Sequence, residues 1–235
     1  MRFDIATIFP HIFDSYINES LFMRARKNKI ISVYTHNLRD YLSGPKDRVD
    51  DRPFGGGPGM VLKVEPIYRA VQDILKNGKR SRKKARNKSR IILFSTRGKK
   101  LNAKEARRLS KYNQLIFICG HYEGVDERVA EHIADEELSI GDYVLSGGEL
   151  AAMVAAETIS RFLPGFLGTG ESLEEIKGSY PVYSRPAEFS PGTRNVKIKK
   201  TESSVSKQQQ LRPWKVPKVL LSGNHKKIAA WRKQT

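Results

Sequence analysis

Apolar and polar positions along this chain switch repeatedly between a period of two and a period near 3.6, the pattern of strands alternating with helices. Arg2 to Phe9 alternates, then runs apolar until Pro10 stops it, which predicts a first strand. Ile12, Phe13, Tyr16, Ile17, Leu21 and Phe22 recur at helical spacing and predict a helix over His11–Lys27. Ile30–Thr35 reads as a second strand, and Arg39–Met60 has no periodicity. Ile67, Val71 and Ile74 share one face of a predicted helix, Val64–Leu75. A strand over Ile91–Ser95 follows, then a short helix capped by Asn102 and running to Tyr112. Leu115–Cys119 is short, apolar and β-branched enough for a buried strand, and Gly120 opens a turn carrying His121, Tyr122, Glu123 and Gly124. A second such run, Leu138–Leu145, stops at Ser146-Gly147-Gly148 before a helix predicted over Glu149–Phe162. The order implies an α/β fold with a mostly parallel sheet flanked by helices. Glycine loops that end strands and feed helices make a ligand crevice at the carboxyl edge of such a sheet; the plainer alternative is that these glycines only let the chain turn.

Past Leu163-Pro164-Gly165 the character changes. Gly165–Ser179 is rich in Gly and Glu and reads as a linker, and Pro191–Arg212 is poor in apolar residues and reads as disordered. Trp214–Gln234 regains apolar positions as an extended segment and one helix starting at Ser222-Gly223-Asn224-His225, too little for an independent core. The expected organisation is a main domain over 1–164, a linker over 165–179 and a short, basic, mostly helical C-terminal domain over 180–235.

Charge adds a partner to this picture. The formal net charge is +18 over 235 residues, but it is concentrated. Lys76–Arg90 holds nine Lys/Arg and no acid, and Phe189–Thr235 holds twelve Lys/Arg against Glu202 alone. Such runs serve as solvated loops or as polyanion-binding surface; the concentration favours nucleic acid over an acidic membrane, because phosphate neutralisation supplies most non-specific affinity. One cysteine excludes a disulfide scaffold and points to a reducing compartment. No signal peptide and no membrane-length apolar run is visible, so a cytoplasmic protein is expected.

Among the loops, Phe54-Gly55-Gly56-Gly57-Pro58-Gly59 lacks the Gly-Lys-Ser/Thr of a phosphate loop; with Asp50, Asp51 and Arg52 before it, it reads as a lid over a ligand. The histidines, at 11, 36, 121, 132 and 225, have no zinc spacing, and Glu123, Asp126 and Glu127 double as helix-dipole partners, so no metal site is expected. Arg161, at the predicted end of a helix, either compensates the helix dipole or clamps a phosphate or carboxylate.

Taken together, VDDRPFGGGPGM, ICGHYEGVDERV, LSIGDYVLSGGELAAM, RFLPGFLG, YPVYSRP and VPKVLLSGNHKKIAAWR, which span nearly the whole chain in order, resemble the bacterial tRNA (guanine-N1) methyltransferases, the TrmD family. The resemblance implies a trefoil-knotted SPOUT fold with the knot within about residues 91–162, S-adenosyl-L-methionine as cofactor, tRNA as partner, and a homodimer whose active site is shared between subunits. It implies methyl transfer to N1 of the guanine at position 37 of tRNA, just 3′ of the anticodon.

By that resemblance the cofactor loops are Leu93–Gly98, Cys119–Gly124 and Ser139–Gly148. Within them Leu93, Ser95, Thr96, Gly120, Tyr122, Glu123, Gly124, Ser139, Ile140, Gly141, Tyr143, Leu145, Gly147 and Gly148 are the expected cofactor contacts. Asp50, Arg52, Gly55, Gly56, Gly57, Pro58, Gly59, Arg185, Ser222, Asn224 and His225 are the expected tRNA and lid residues, and Arg161 matches the family arginine that steadies the purine O6. The family's general-base aspartate is not found: Ile176 stands at its position, and Glu174 and Glu175 are the provisional bases. Thr96 stands where the family usually has proline. Magnesium has no support in the residues. The alternatives are a non-catalytic tRNA-binding homologue, favoured by the missing aspartate, and a methyltransferase with another RNA target.

Overall fold

The computed structural model describes residues 1–80, 88–168, 180–191, 193–196, 207–210 and 212–234. The chain divides into two compact units, Met1–Leu173 and Glu174–Thr235. The first is built on five strands: β1 (Arg2–Thr7), β2 (Ser32–Asn37), β5 (Ser89–Lys100), β6 (Gln114–Ile118) and β7 (Glu136–Ser139). They lie in the order β2-β1-β6-β5-β7, every neighbouring pair parallel. The short pair β3 (Asp50–Asp51) and β4 (Val61–Leu62) forms a separate antiparallel hairpin.

Parallel strands need crossover helices, and these cover both faces of the sheet. Alternate residues of each strand therefore feed two cores. Phe3, Ile5, Ile92, Phe94, Leu115 and Phe117 join one, with α2 (Ser20–Lys27), α4 (Ala103–Leu109) and α6 (Glu149–Ser160). Ala6, Leu93, Ile116 and Ile118 join the other, with α3 (Val64–Arg80) and α5 (Glu127–His132). That is why Leu115–Cys119 is apolar without interruption. Each such fully buried side chain contributes about 1.5–3 kcal/mol. On α3 the buried set is Ile67, Ala70, Val71 and Ile74, the spacing of one helical face. On α6 it is mostly alanine, so the helix backbone approaches the sheet closely.

Several elements differ from expectation. The helix predicted over His11–Lys27 is a 3-10 turn (Pro10–Phe13), α1 (Asp14–Ile17) and α2, broken where Ser20 takes φ 48°. Leu138–Leu145 is not one strand: pairing ends at Ser139, and Ile140–Leu145 leaves the sheet as a loop. Conversely, the strand predicted over Ile91–Ser95 extends over Ser89–Lys100. After Phe94 pairs with Leu138, the residues Ser95–Gly98 bulge out, and Lys99 returns to pair with the same Leu138. Gly98 permits this, since a Cβ there would lie 2.5 Å from the Glu137 carbonyl carbon. Asn102 caps α4 as expected, its Oδ1 accepting from the Glu105 N–H at 3.0 Å.

In the second unit β8 (Glu188–Phe189) pairs with β11 (Trp214–Lys215), and helices run over Lys218–Leu221 and His225–Gln234. The segment read as disordered, Pro191–Arg212, contains an antiparallel pair, β9 (Thr193–Val196) with β10 (Lys207–Gln210); its remainder, and most of the linker, lie outside the described residues.

Candidate active site

β6, β5 and β7 are adjacent in the sheet, so the loops leaving their carboxyl ends converge. Between the Ser95–Gly98 bulge, the turn after β6 and the long loop after β7 lies a cavity of about 390 Å³, within the range of small-molecule sites. All fourteen residues expected to contact a cofactor line it: Leu93, Ser95, Thr96, Gly120, Tyr122, Glu123, Gly124, Ser139, Ile140, Gly141, Tyr143, Leu145, Gly147 and Gly148.

Main-chain bonds hold these loops to one another. The Gly148 N–H donates to the Gly120 carbonyl at 2.8 Å, and His121 and Gly147 form an isolated antiparallel bridge. At Gly148 the two loops touch: a Cβ at this position would fall 2.7 Å from the Cys119 Cα. The Ser139 hydroxyl accepts from the Gly141 N–H at 3.2 Å and donates to the Gly141 carbonyl at 3.0 Å, which folds the chain back just beyond β7. Tyr122 takes φ 61°, a strained conformation for a bulky side chain, at about 1–2 kcal/mol.

The cavity wall also contains groups the motifs did not single out as contacts: Arg97, His121, Glu127 and Glu137. Arg97 binds both carboxylate oxygens of Glu127, at 3.0 and 2.8 Å, and lies 3.6 Å from Glu137. The bond to Glu127 and the charges of Glu137 and Glu127 hold its guanidinium above the usual arginine range. With Glu123 the lining carries three carboxylates against one guanidinium, so it favours a cationic ligand. The Arg97 position lay inside an anticipated loop; nothing in the local sequence signalled its partner thirty residues on. Cys119 is fully buried, and burial, then the Glu149 charge, push its thiol well above the ordinary cysteine range. It packs as a small core side chain.

The residues expected to form a lid sit on the β3–β4 hairpin, whose base is tied to the turn after β6; none of them lines the cavity. The Leu62 N–H donates to the Gly124 carbonyl at 3.0 Å and the Glu123 N–H to the Met60 carbonyl at 3.0 Å. Arg52 and Gly55, Gly56, Gly57, Pro58 and Gly59 are exposed, and the Phe54 side chain is wholly in solvent. Asp50 is buried and paired with Arg48 at 3.1 Å.

Arg161 caps the carboxyl end of α6, and its guanidinium has no ion-pair partner among the described residues. The 12 residues of α6 span about 18 Å, so Arg161 stands at the opposite end of the helix from the cavity loop at Gly148. Glu174 and Glu175 lie outside the described residues. In the second unit Arg185 is exposed, whereas Ser222 and Asn224 are used in helix capping: the Ser222 hydroxyl accepts from the Asn224 N–H at 3.2 Å, and Asn224 Oδ1 accepts from the Lys227 N–H at 3.1 Å. His225 begins the last helix, exposed. Among the described residues no group of three His, Cys, Asp or Glu side chains could hold a metal ion, and no helix is long and apolar enough to cross a membrane.

Comparison with known proteins gives one answer. The family model described as tRNA (Guanine-1)-methyltransferase TrmD matches residues 1–235. The tRNA (guanine-N(1)-)-methyltransferase of Dehalococcoides mccartyi is 42% identical, over 100% of this chain and 85% of that protein. That of Carboxydothermus hydrogenoformans is 44% identical, over 100% and 82%. The crystal structure of tRNA (m1G37) methyltransferase from Aquifex aeolicus superposes with a TM-score of 0.74 at 40% identity, covering 98% of this chain and 87% of that one.

Proposed function

Because the chain belongs to the tRNA (guanine-1)-methyltransferase family, we propose that it transfers a methyl group from S-adenosylmethionine to N1 of guanine 37 of tRNA, in the cytoplasm. The observation that carries this reading is the convergence of three glycine-bearing loops on one cavity in a chain matched along its whole length. The residues fit the cofactor: the volume suits a nucleoside-sized molecule, the loops offer main-chain groups to read a base, and Glu123, Glu127 and Glu137 suit a sulfonium cation. When bound, S-adenosylmethionine supplies an electrophilic methyl group.

The rest falls to the chain. Guanine N1 carries a proton at neutral pH, and a base must take it; Glu174 or Glu175 is the carboxylate assigned to that step. Arg161 steadies the purine O6 as charge develops there. Its distance from the cavity of its own protomer, about 15 Å along α6 from the lining residue Ala151, supports an active site shared by two copies. Exposed apolar side chains on α6 (Leu150 and Val154), on the neighbouring 3-10 turn (Ile12) and just before that turn (Phe9) support a dimer as well. The trefoil knot is part of the same reading, as are tRNA contacts from the hairpin tip and the second unit.

Labelled S-adenosylmethionine should label an unmodified transcript bearing guanine 37 and not one bearing adenine there. Arg161→Ala and one of Glu174→Gln and Glu175→Gln should abolish incorporation while cofactor binding persists. Wild-type protein that binds cofactor and tRNA without incorporation would instead be the non-catalytic homologue that the missing aspartate favours.

A further inference from the structure

Behind the cavity lies a buried polar chain that takes no part in the reaction scheme proposed for this protein. Thr7, at the carboxyl end of β1, is fully buried; its hydroxyl accepts from the Phe9 N–H at 2.9 Å and donates to Glu149 Oε1 at 2.7 Å. Glu149 is the first residue of α6 and only 4% exposed. Its other oxygen faces His121 Nδ1 at 3.9 Å, the two flanking Gly147 so closely that a Cβ there would meet both, at 2.3 and 2.4 Å. His121 Nδ1 is buried without a hydrogen-bond partner, while 21% of the side chain remains exposed. The ring is wedged edge-on between Phe9 and Tyr122, with centroids 4.9 and 5.0 Å away. Nδ1 is thus turned into the protein, and the exposed part of the side chain of this lining residue is the part away from Nδ1.

A buried carboxylate needs a donor, and one oxygen of Glu149 has its donor in Thr7. The other faces Nδ1 at 3.9 Å, and its charge favours the tautomer with the proton on Nδ1. A neutral imidazole protonated there has an acceptor at Nε2. We propose that Thr7 and Glu149 are positioning residues that fix His121 with its proton on Nδ1, so that Nε2 stands at the cavity wall as an acceptor for an N–H group of the bound methyl donor. The inference rests on the cavity being the S-adenosylmethionine site. It assigns the chemistry of an acceptor, rather than a charge, to a histidine otherwise read as a turn residue.

Glu149→Gln separates this role from simple packing. The Gln carbonyl still accepts from Thr7, but its amide then donates to Nδ1 and drives the proton to Nε2, turning the acceptor at the cavity into a donor. The experiment is long-range ¹H–¹⁵N NMR on ligand-free, ¹⁵N-histidine-labelled protein at mildly alkaline pH, with calorimetric titration of S-adenosylmethionine into wild type and Glu149→Gln. We expect the Nδ1–H tautomer in wild type, the Nε2–H tautomer in the variant, unchanged Tm, and binding about tenfold weaker in the variant, the loss of one hydrogen bond. An Nε2–H tautomer or an imidazolium in wild type overturns the proposal, and so does unchanged affinity in the variant. The wild-type tautomer requires no substitution, so a variant that fails to fold leaves the test standing. Wild-type protein with the Nδ1–H tautomer that binds no S-adenosylmethionine overturns instead the reading of the cavity, and with it the acceptor role.

Discussion

Gly148 leaves no room for a methyl group, because the obstacle is the main chain at Cys119 rather than the end of a side chain that could swing away. Its φ of −80° suits any residue, so Gly148→Ala is a purely steric change. It should destabilise by about 1–3 kcal/mol, as overpacking does, and weaken cofactor binding through the displaced loops; urea denaturation and calorimetry read the two effects. Gly56→Ala is the converse: φ is +81° but nothing lies within 4 Å, so it should cost about 1 kcal/mol of strain and leave cofactor affinity unchanged. Asp4 gives a third prediction at this scale. It is fully buried on β1; burial pushes its carboxyl up, but bonds from His36, Arg2 and Gln114 more than offset this and hold it below the ordinary range. A depressed carboxylate contributes stability that is present above its unfolded pKa and is lost as pH falls through the folded value. Asp4→Asn should therefore lower stability at neutral pH by about 3–5 kcal/mol and flatten the acid limb of the stability profile, measured by denaturant unfolding from neutral to acid pH.

At the scale of elements, the α4 cap is separable from the site. Asn102→Ala removes the bond to the Glu105 N–H and should cost about 1 kcal/mol, visible as a lower urea midpoint with cofactor affinity intact. This cap was legible because the side chain that makes it acts three residues away. The parallel sheet and the helix–strand order were legible too, since continuous apolar runs mark strands covered on both faces, and the loops expected to contact cofactor do line one cavity. What was not legible is non-local. The bulge at Ser95–Gly98 is set by β7, which lies some forty residues further on, and Ile140–Leu145 has a strand's composition but leaves the sheet at the Ser139–Gly141 turn. The ion pair of Arg97 with Glu127 and the facing of Glu149 with His121 likewise come from the crossover, not from spacing.

For the whole molecule, charge and catalysis occupy different stretches. None of the described residues of the basic run over Lys76–Arg90 lines the cavity, so replacing Arg82, Lys83 and Lys84 with Gln should weaken tRNA binding and leave S-adenosylmethionine affinity untouched. A plot of log affinity against log salt should become shallower by about 2, at roughly 0.7–0.9 per lost phosphate contact; an unchanged slope would show that this run does not touch RNA. The bulge in β5 bears on a different matter, the kinds of insertion and deletion this chain tolerates over its history. Phe94 and Lys99 are both clamped to Leu138, so the excursion between them is a fixed count of residues. Dropping or adding one would turn Lys99 and Lys100 to the wrong faces and carry the mismatch into the α4 cap. The hairpin tip at Phe54–Gly57, by contrast, has open space around it and can change length at little cost. Gaps should therefore accumulate at the hairpin tip and be absent from the bulge, even though both are loops.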